Sequence, residues 1–232
     1  MDLFQNPIFQ GITPEEYSDM EARGALHVRT YPKGTVIFRT GDITRRFGLL
    51  RRGKVHIESI DAWGSRLIRH HISPGQVFAE TYAFCQAPLM VDVTAVEDSQ
   101  VLLVDLGALL PEENRSCSWY TKILYHLLLL TAEKNLAWSG RMFCISPKTI
   151  RGRVMTFLSA QALQQNSRSI TIPFDRQQMA DYLNVERSAL SKELGRMKRE
   201  GILSFRKNHF QLLQDPRQDH LPPLTGEGPG SG

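Results

Sequence analysis

The chain has 232 residues, 41% hydrophobic and 22% charged, an ordinary globular composition that fits one large domain or two smaller ones. No run approaches the roughly 18 apolar residues of a membrane span, and the N-terminus Met1-Asp2-Leu3-Phe4 lacks the basic-then-apolar pattern of a secretory leader, so the expected compartment is the cytoplasm. The net charge of +4 is unevenly spread. Residues 1–139 hold 14 Lys/Arg against 16 Asp/Glu, residues 140–210 hold 13 against 5, and residues 211–232 hold 1 against 3. Only the back half is suited to meet a polyanion. The three cysteines, Cys85, Cys117 and Cys144, have no metal-ligand spacing. They read as ordinary thiols, with a redox-sensing role as the alternative.

In chain order, residues 31–106 read as short strands between turns. Pro32-Lys33-Gly34 precedes Thr35 to Phe38, and Gly41-Asp42 closes that strand. Leu49-Leu50 leads through Arg51-Arg52-Gly53 to Val55-His56-Ile57, and Asp61 to Ser65 reads as a hairpin loop before Arg66 to His70. Ser73-Pro74-Gly75 is a further break before strands over Val91–Val96 and Gln100–Asp105. Turns at this spacing predict an antiparallel barrel or sandwich.

Residues 116–139 then predict one long helix without Gly or Pro. Ile123, Leu127, Leu130, Lys134 and Ala137 recur at 4-3-4-3 spacing and are the candidate dimer interface, with Leu124, Leu128 and Trp138 on a neighbouring face. Ser146-Pro147 is the expected start of the next helix, through Ile150, Val154, Phe157 and Leu158, and Ile170 to Pro173 reads as a short strand.

Residues 175–201 break at Asn184. Met179, Ala180 and Leu183 share one face of the first piece, and Leu190, Leu194 and Met197 share one face of the second. Asn tolerates the left-handed backbone of a tight turn, and Val185 plugs the angle: a helix-turn-helix. Arg187, Ser188, Ser191 and Lys192 lie near the second helix's N-terminus, the part of a recognition helix that reaches base edges. Arg and Lys donate to guanine O6 and N7. Arg196, Lys198 and Arg199 suit phosphates, and Arg176 and Gln177 open the first helix as backbone anchors. Two strands, Ile202–Phe205 and Phe210–Leu213, flank a basic turn containing Lys207, a wing. The last stretch, LPPLTGEGPGSG, has a disordered composition.

The block RQQMADYLNVERSALSKELGRMKREGIL, with PKGTVIFRTGD, LRRGKVHI and SPGQVFAET, resembles the CRP/FNR family of bacterial transcription regulators over residues 10–213. The resemblance implies an α+β fold: an N-terminal antiparallel β-roll of cyclic-nucleotide-binding type, a long dimerisation helix and a C-terminal winged helix-turn-helix. It places an effector-sensing roll at 1–115, the dimerisation helix at 116–140, the DNA-binding domain at 141–214 and a disordered tail at 215–232. It implies a non-enzymatic, dimeric regulator of double-stranded DNA, with RNA polymerase as a partner and a small-molecule effector of unassigned identity.

Two departures bear on function. Cyclic-AMP-binding relatives hold the ribose with Gly-Glu and the phosphate with Arg-Ser; this chain has Ala79-Glu80 and Met90-Val91-Asp92. An anionic phosphate gains nothing from Met or Val and is repelled by Asp, so cyclic AMP is not the expected ligand. Glu80, Thr81, Met90, Val91, Thr131 and Asn135 are the effector-pocket candidates implied by the family layout. The iron–sulfur cysteine cluster of the FNR branch has no counterpart in residues 1–30; His56, His70, His71 and His126 are available to haem, and loss of ligand sensing is the remaining alternative. Relatives also carry Arg-Glu in the recognition helix, where this chain has Arg187-Ser188, so its DNA half-site is expected to be related but different. Serine-hydrolase, nucleotide-loop, zinc-protease and dinucleotide motifs find no match.

Overall fold

The structure, a computed structural model, describes residues 6–60 and 66–213. The hairpin loop expected at Asp61–Ser65 and the tail expected at 215–232 lie outside the described residues. The described residues form two compact units that divide between Glu133 and Lys134.

The first unit opens with helix α1, Pro14–Ala22, and strand β1, Leu26–Tyr31. It continues through β2 (Val36–Phe38), β3 (Arg46–Arg52), β4 (Val55–Ile60), β5 (Arg66–Ile72), β6 (Val77–Phe78), helix α2 (Glu80–Cys85), β7 (Asp92–Ala95), β8 (Ser99–Asp105) and the short helix α3 (Leu106–Leu109). The strands pair antiparallel in two four-stranded sheets, β1-β8-β3-β6 and β2-β7-β4-β5. Strand β8 explains why the two layers cohere. Its side chains alternate, so Leu102 and Val104 join the core under the helices while Val101 and Leu103 join the core with Leu50, Val55 and Val93. A strand buried on both faces reads as a continuous apolar run, as Val101 to Val104 does. Gly48 on β3 is required where it stands, because any Cβ there would run into the Phe78 ring.

Thr13 and Glu16 close a capping box on α1, with Pro14 at its first turn. Glu16 also ties α1 to the long helix α4, Ser118–Ile145. Its carboxylate accepts from Lys122 Nζ at 2.8 Å and from Ser118 Oγ at 2.5 Å. Burial raises the Glu16 carboxyl, but the bonds from Lys122, Ser118 and the Thr13 N–H outweigh it and hold the group at about 2. Trp119, fully buried beside α1, donates its indole N–H to Asp19 at 2.7 Å.

The helix expected over 116–140 therefore continues to Ile145, passing Gly140 in open space. One glycine costs roughly 1 kcal/mol, which does not break a helix held by its neighbours. The assignment of its faces needs correcting. Ile123 and Leu127 are each 2% exposed in the first unit's own core, and Leu130 packs against that core. Ile123 and Leu127 are not available to a partner chain; Leu130 is half-buried, and Lys134 and Ala137 are exposed. The surface face instead carries Leu128 at 67% exposure, Tyr125 at 57%, Leu129 at 41% and Leu124 at 37%.

The second unit holds helix α5 (Ile150–Gln164), β9 (Ser169–Thr171), α6 (Arg176–Leu183), α7 (Arg187–Arg199), β10 (Leu203–Arg206) and β11 (His209–Leu212). The cap of α5 is Thr149, whose hydroxyl accepts from the Gly152 N–H at 3.0 Å, rather than Ser146, which bonds back to Phe143. The three strands form one antiparallel sheet, β10-β11-β9. Val154, Phe157 and Leu158 of α5 share one core with Met179, Ala180, Leu183, Leu190, Leu194, Met197, Phe210 and Leu212. Among the described residues no helix is long and apolar enough to cross a membrane.

Candidate nucleic-acid interface

Helices α6 and α7 meet at Asn184, which adopts φ 53 and ψ 53. Val185 is half-buried against the core. Two arginines hold this corner. Arg153 donates to the Leu183 and Asn184 carbonyls at 3.2 and 2.8 Å, and Arg141 to the Tyr182 and Asp181 carbonyls at 3.0 and 2.9 Å. The last carbonyls of α6 lack helical partners and carry partial negative charge, so cations belong there. On α5, Arg151 is paired with Glu193 and Glu200, both at 2.7 Å. Three cations of the basic half thus serve the fold.

The outward face of α7 is different. Leu190, Leu194 and Met197 are fully buried, and Ser188, Lys192 and Arg199 lie opposite them at i, i+4 and i+11. Arg187, Ser188, Ser191 and Lys192 are all exposed, as are Gln177, Arg196, Lys198 and Arg199. Among the described contacts Arg187, Lys192 and Arg199 have no ion-pair partner, whereas Arg196 pairs with Glu200 at 2.9 Å. The wing turns at Lys207, exposed with φ 56. Arg176 departs from its expected role as a backbone anchor. It is half-buried, with its guanidinium 5.1 Å from the Phe205 ring and 5.6 Å from the Phe210 ring, and burial lowers its pKa. It braces the wing against the start of α6.

A residue missed from the sequence joins this surface. Glu186 caps α7, its Oε2 accepting from the Ala189 N–H at 2.8 Å and from the Ser188 hydroxyl. Hydrogen bonds from Ser188 and from the Ser188 and Ala189 backbone lower its pKa, so it is ionised at neutral pH. Glutamate is not among the preferred N-caps, so its place in the sequence gives little signal of this role.

In the first unit, the effector candidates are dispersed. Glu80 is 5% exposed, but Thr81 is exposed and Met90 is 76% exposed. Those two side chains stand in solvent and do not line an enclosed cavity within the chain. Val91 is half-buried, and the Thr131 hydroxyl donates back to the Leu127 and Leu128 carbonyls. Asn135, in the second unit, is exposed. Asp92 is buried and engaged, accepting from the Thr40 N–H at 2.7 Å and its hydroxyl at 2.8 Å.

Ala79 has φ 64 and ψ 8, the left-handed region, just before α2. That backbone costs an L-residue roughly 1–2 kcal/mol and costs glycine little. Ala79→Gly relieves the strain but adds unfolded-chain entropy, so a net gain of about 0.5–1 kcal/mol is expected. A higher midpoint in denaturant melts checks it; an unchanged or lower midpoint contradicts it.

Of the candidate histidines, His56, His71 and His126 make hydrogen bonds within the chain. His71 Nδ1 and His56 Nε2 are hydrogen-bonded at 2.8 Å, and burial followed by the neighbouring His71 lowers the His56 pKa. His126 donates Nδ1–H to the Ile8 carbonyl at 3.0 Å, and His70 is exposed. Cys85 is exposed and Cys117 half-buried, whereas Cys144 is buried, its thiol pushed up by desolvation. That makes Cys144 a poor thiolate.

Two antiparallel sheets in a roll, a long helix and a winged helix-turn-helix with an outward basic face define a DNA-binding regulator class. The family model described as a cyclic nucleotide-binding domain matches residues 28–112, and that of the Crp-like helix-turn-helix domain matches residues 152–218. The cyclic AMP receptor protein of Thermus thermophilus is 31% identical over 97 residues, 42% of this chain and 44% of that protein, so the match spans less than half of the relative. CprK complexed with OCPA has a similar fold, at TM-score 0.56 and 17% identity over 86% of this chain and 89% of that one. The c-di-GMP responsive global regulator CLP of Xanthomonas campestris gives 0.50 and 17% over 85% and 100%. The chain belongs to the CRP/FNR family of transcription regulators.

Proposed function

We propose that the protein works as a homodimer that reads a near-palindromic DNA site with α7 of each subunit in the major groove. The observation that carries this is the split of α7: one face fully buried, the opposite one lined by Ser188, Lys192 and Arg199 in solvent, with Arg187 exposed at the first turn. A buried face fixes the helix, and the donors of Lys192 and Arg199 on the opposite face, with Arg187 beside them, suit guanine edges and phosphates. Arg196, Lys198 and the Lys207 wing tip serve phosphates, with RNA polymerase as the partner of the bound dimer.

The roll does not take cyclic AMP in this reading. Asp92 keeps a carboxylate where relatives place a phosphate-binding pair, and Met90 offers no donor. The proposed response is to another small molecule, through a shift between dimer states.

Selection from random duplex DNA tests the reading. The expected product is an inverted repeat with half-site centres about 34 Å apart, bound with an affinity that falls steeply with salt. Enrichment of no symmetric motif, with only sequence-independent binding, overturns it.

A further inference from the structure

Resting on that reading, we propose that Glu186 is a specificity-determining residue that reads a cytosine in each half-site, taking over a role that Ser188 cannot fill. Three observations converge on it. The first is position. Glu186 is the residue immediately before α7, exposed, and next to Arg187. The start of a recognition helix is the part that meets base edges.

The second is how the side chain is held. An exposed glutamate ordinarily samples many rotamers, but here Oε2 accepts from both the Ala189 N–H and the Ser188 hydroxyl. The carboxylate is folded over the first turn, and Oε1 takes no hydrogen bond among the described contacts. Capping alone does not call for glutamate, since Ser, Asp, Asn and Thr are the preferred N-caps. The side chain supplies what Ser and Thr caps lack, a second carboxylate oxygen left over, and carries it one methylene further than Asp would.

The third is polarity. Ser188 spends its only proton on Glu186, so its oxygen faces outward with lone pairs alone. Together the pair forms an acceptor-only patch beside the donors Arg187 and Lys192. Phosphate repels such a patch. In the major groove guanine presents two acceptors, thymine one acceptor and a methyl group, and adenine a donor next to the N7 acceptor. Cytosine presents the N4 amino donor without a neighbouring acceptor of its own, which makes it the base that matches. Arg187 is then free for a guanine in the same half-site.

The test is the random-duplex selection repeated at fixed salt with Glu186→Gln and Ser188→Ala. Glutamine keeps the cap through its carbonyl oxygen but turns the outward atom into a donor. The wild type is expected to enrich cytosine at one symmetric position per half-site. Glu186→Gln is expected to lose that preference, with discrimination against other bases there falling about tenfold or more. Ser188→Ala retains cytosine, because the carboxylate remains. If melting shows that Glu186→Gln loosens the fold, Glu186→Ser, a good cap without reach, must lose the preference too. A cytosine column unchanged in the Glu186 variants, or erased only by Ser188→Ala, overturns the proposal. A wild type that enriches no symmetric motif fails the regulator reading itself, a separate result.

Discussion

Replacing Leu124 and Leu128 together by glutamate is expected to leave the protein monomeric in sedimentation and to weaken binding to an inverted-repeat duplex at least a hundredfold. Both residues lie on the surface face of α4, 37% and 67% exposed in the single chain, with Tyr125 and Leu129 alongside. Full burial of one leucine side chain is worth about 1.5–3 kcal/mol, and a two-fold interface buries each residue twice. Charges placed there must be desolvated or the interface must open. Losing the second subunit removes the avidity of paired half-sites, typically a factor of about 10²–10⁴. The single-chain fold is expected to survive, because neither side chain belongs to a core cluster. A variant that stays dimeric, or a monomer that binds the full site as tightly as the wild type, contradicts the interface.

Arg187→Ala is expected to reduce affinity for the selected duplex by roughly tenfold to a hundredfold per half-site and to relax selection for one guanine. A bidentate Arg–guanine contact carries about 1–3 kcal/mol of discrimination. Arg187 is exposed and has no ion-pair partner among the described contacts, so its removal frees no buried charge and should leave the melting temperature unchanged. The measurement is the ratio of affinities for matched and mismatched duplexes at one salt concentration. An equal loss on all sequences would make Arg187 a phosphate contact, and no loss would remove it from the interface.

Much of the second unit could be read from local chemistry. Met179, Ala180 and Leu183, then Leu190, Leu194 and Met197, show their buried face through spacing alone, because a helix repeats every 3.6 residues whatever its surroundings. Asn184 marks the turn because a left-handed residue is needed and asparagine tolerates that backbone. The roll is legible for the same reason: glycine, proline and aspartate cluster where strands must reverse. Ala79 shows the limit, a left-handed position at which local preference points away from alanine.

The sequence by itself determined the order of elements, the class of each domain and the outward basic face of α7. Only the tertiary structure decided which apolar stripe of α4 belongs to its own chain. Leu124/Leu128 and Ile123/Leu127 are equally helical and equally apolar, and the sheet core beneath the second pair breaks the tie. It also decided that Arg141, Arg151, Arg153 and Arg176 brace the fold, and that Glu186 turns back over α7. A periodic pattern shows that a face is apolar or charged, but which surface or ion meets it depends on partners distant in sequence.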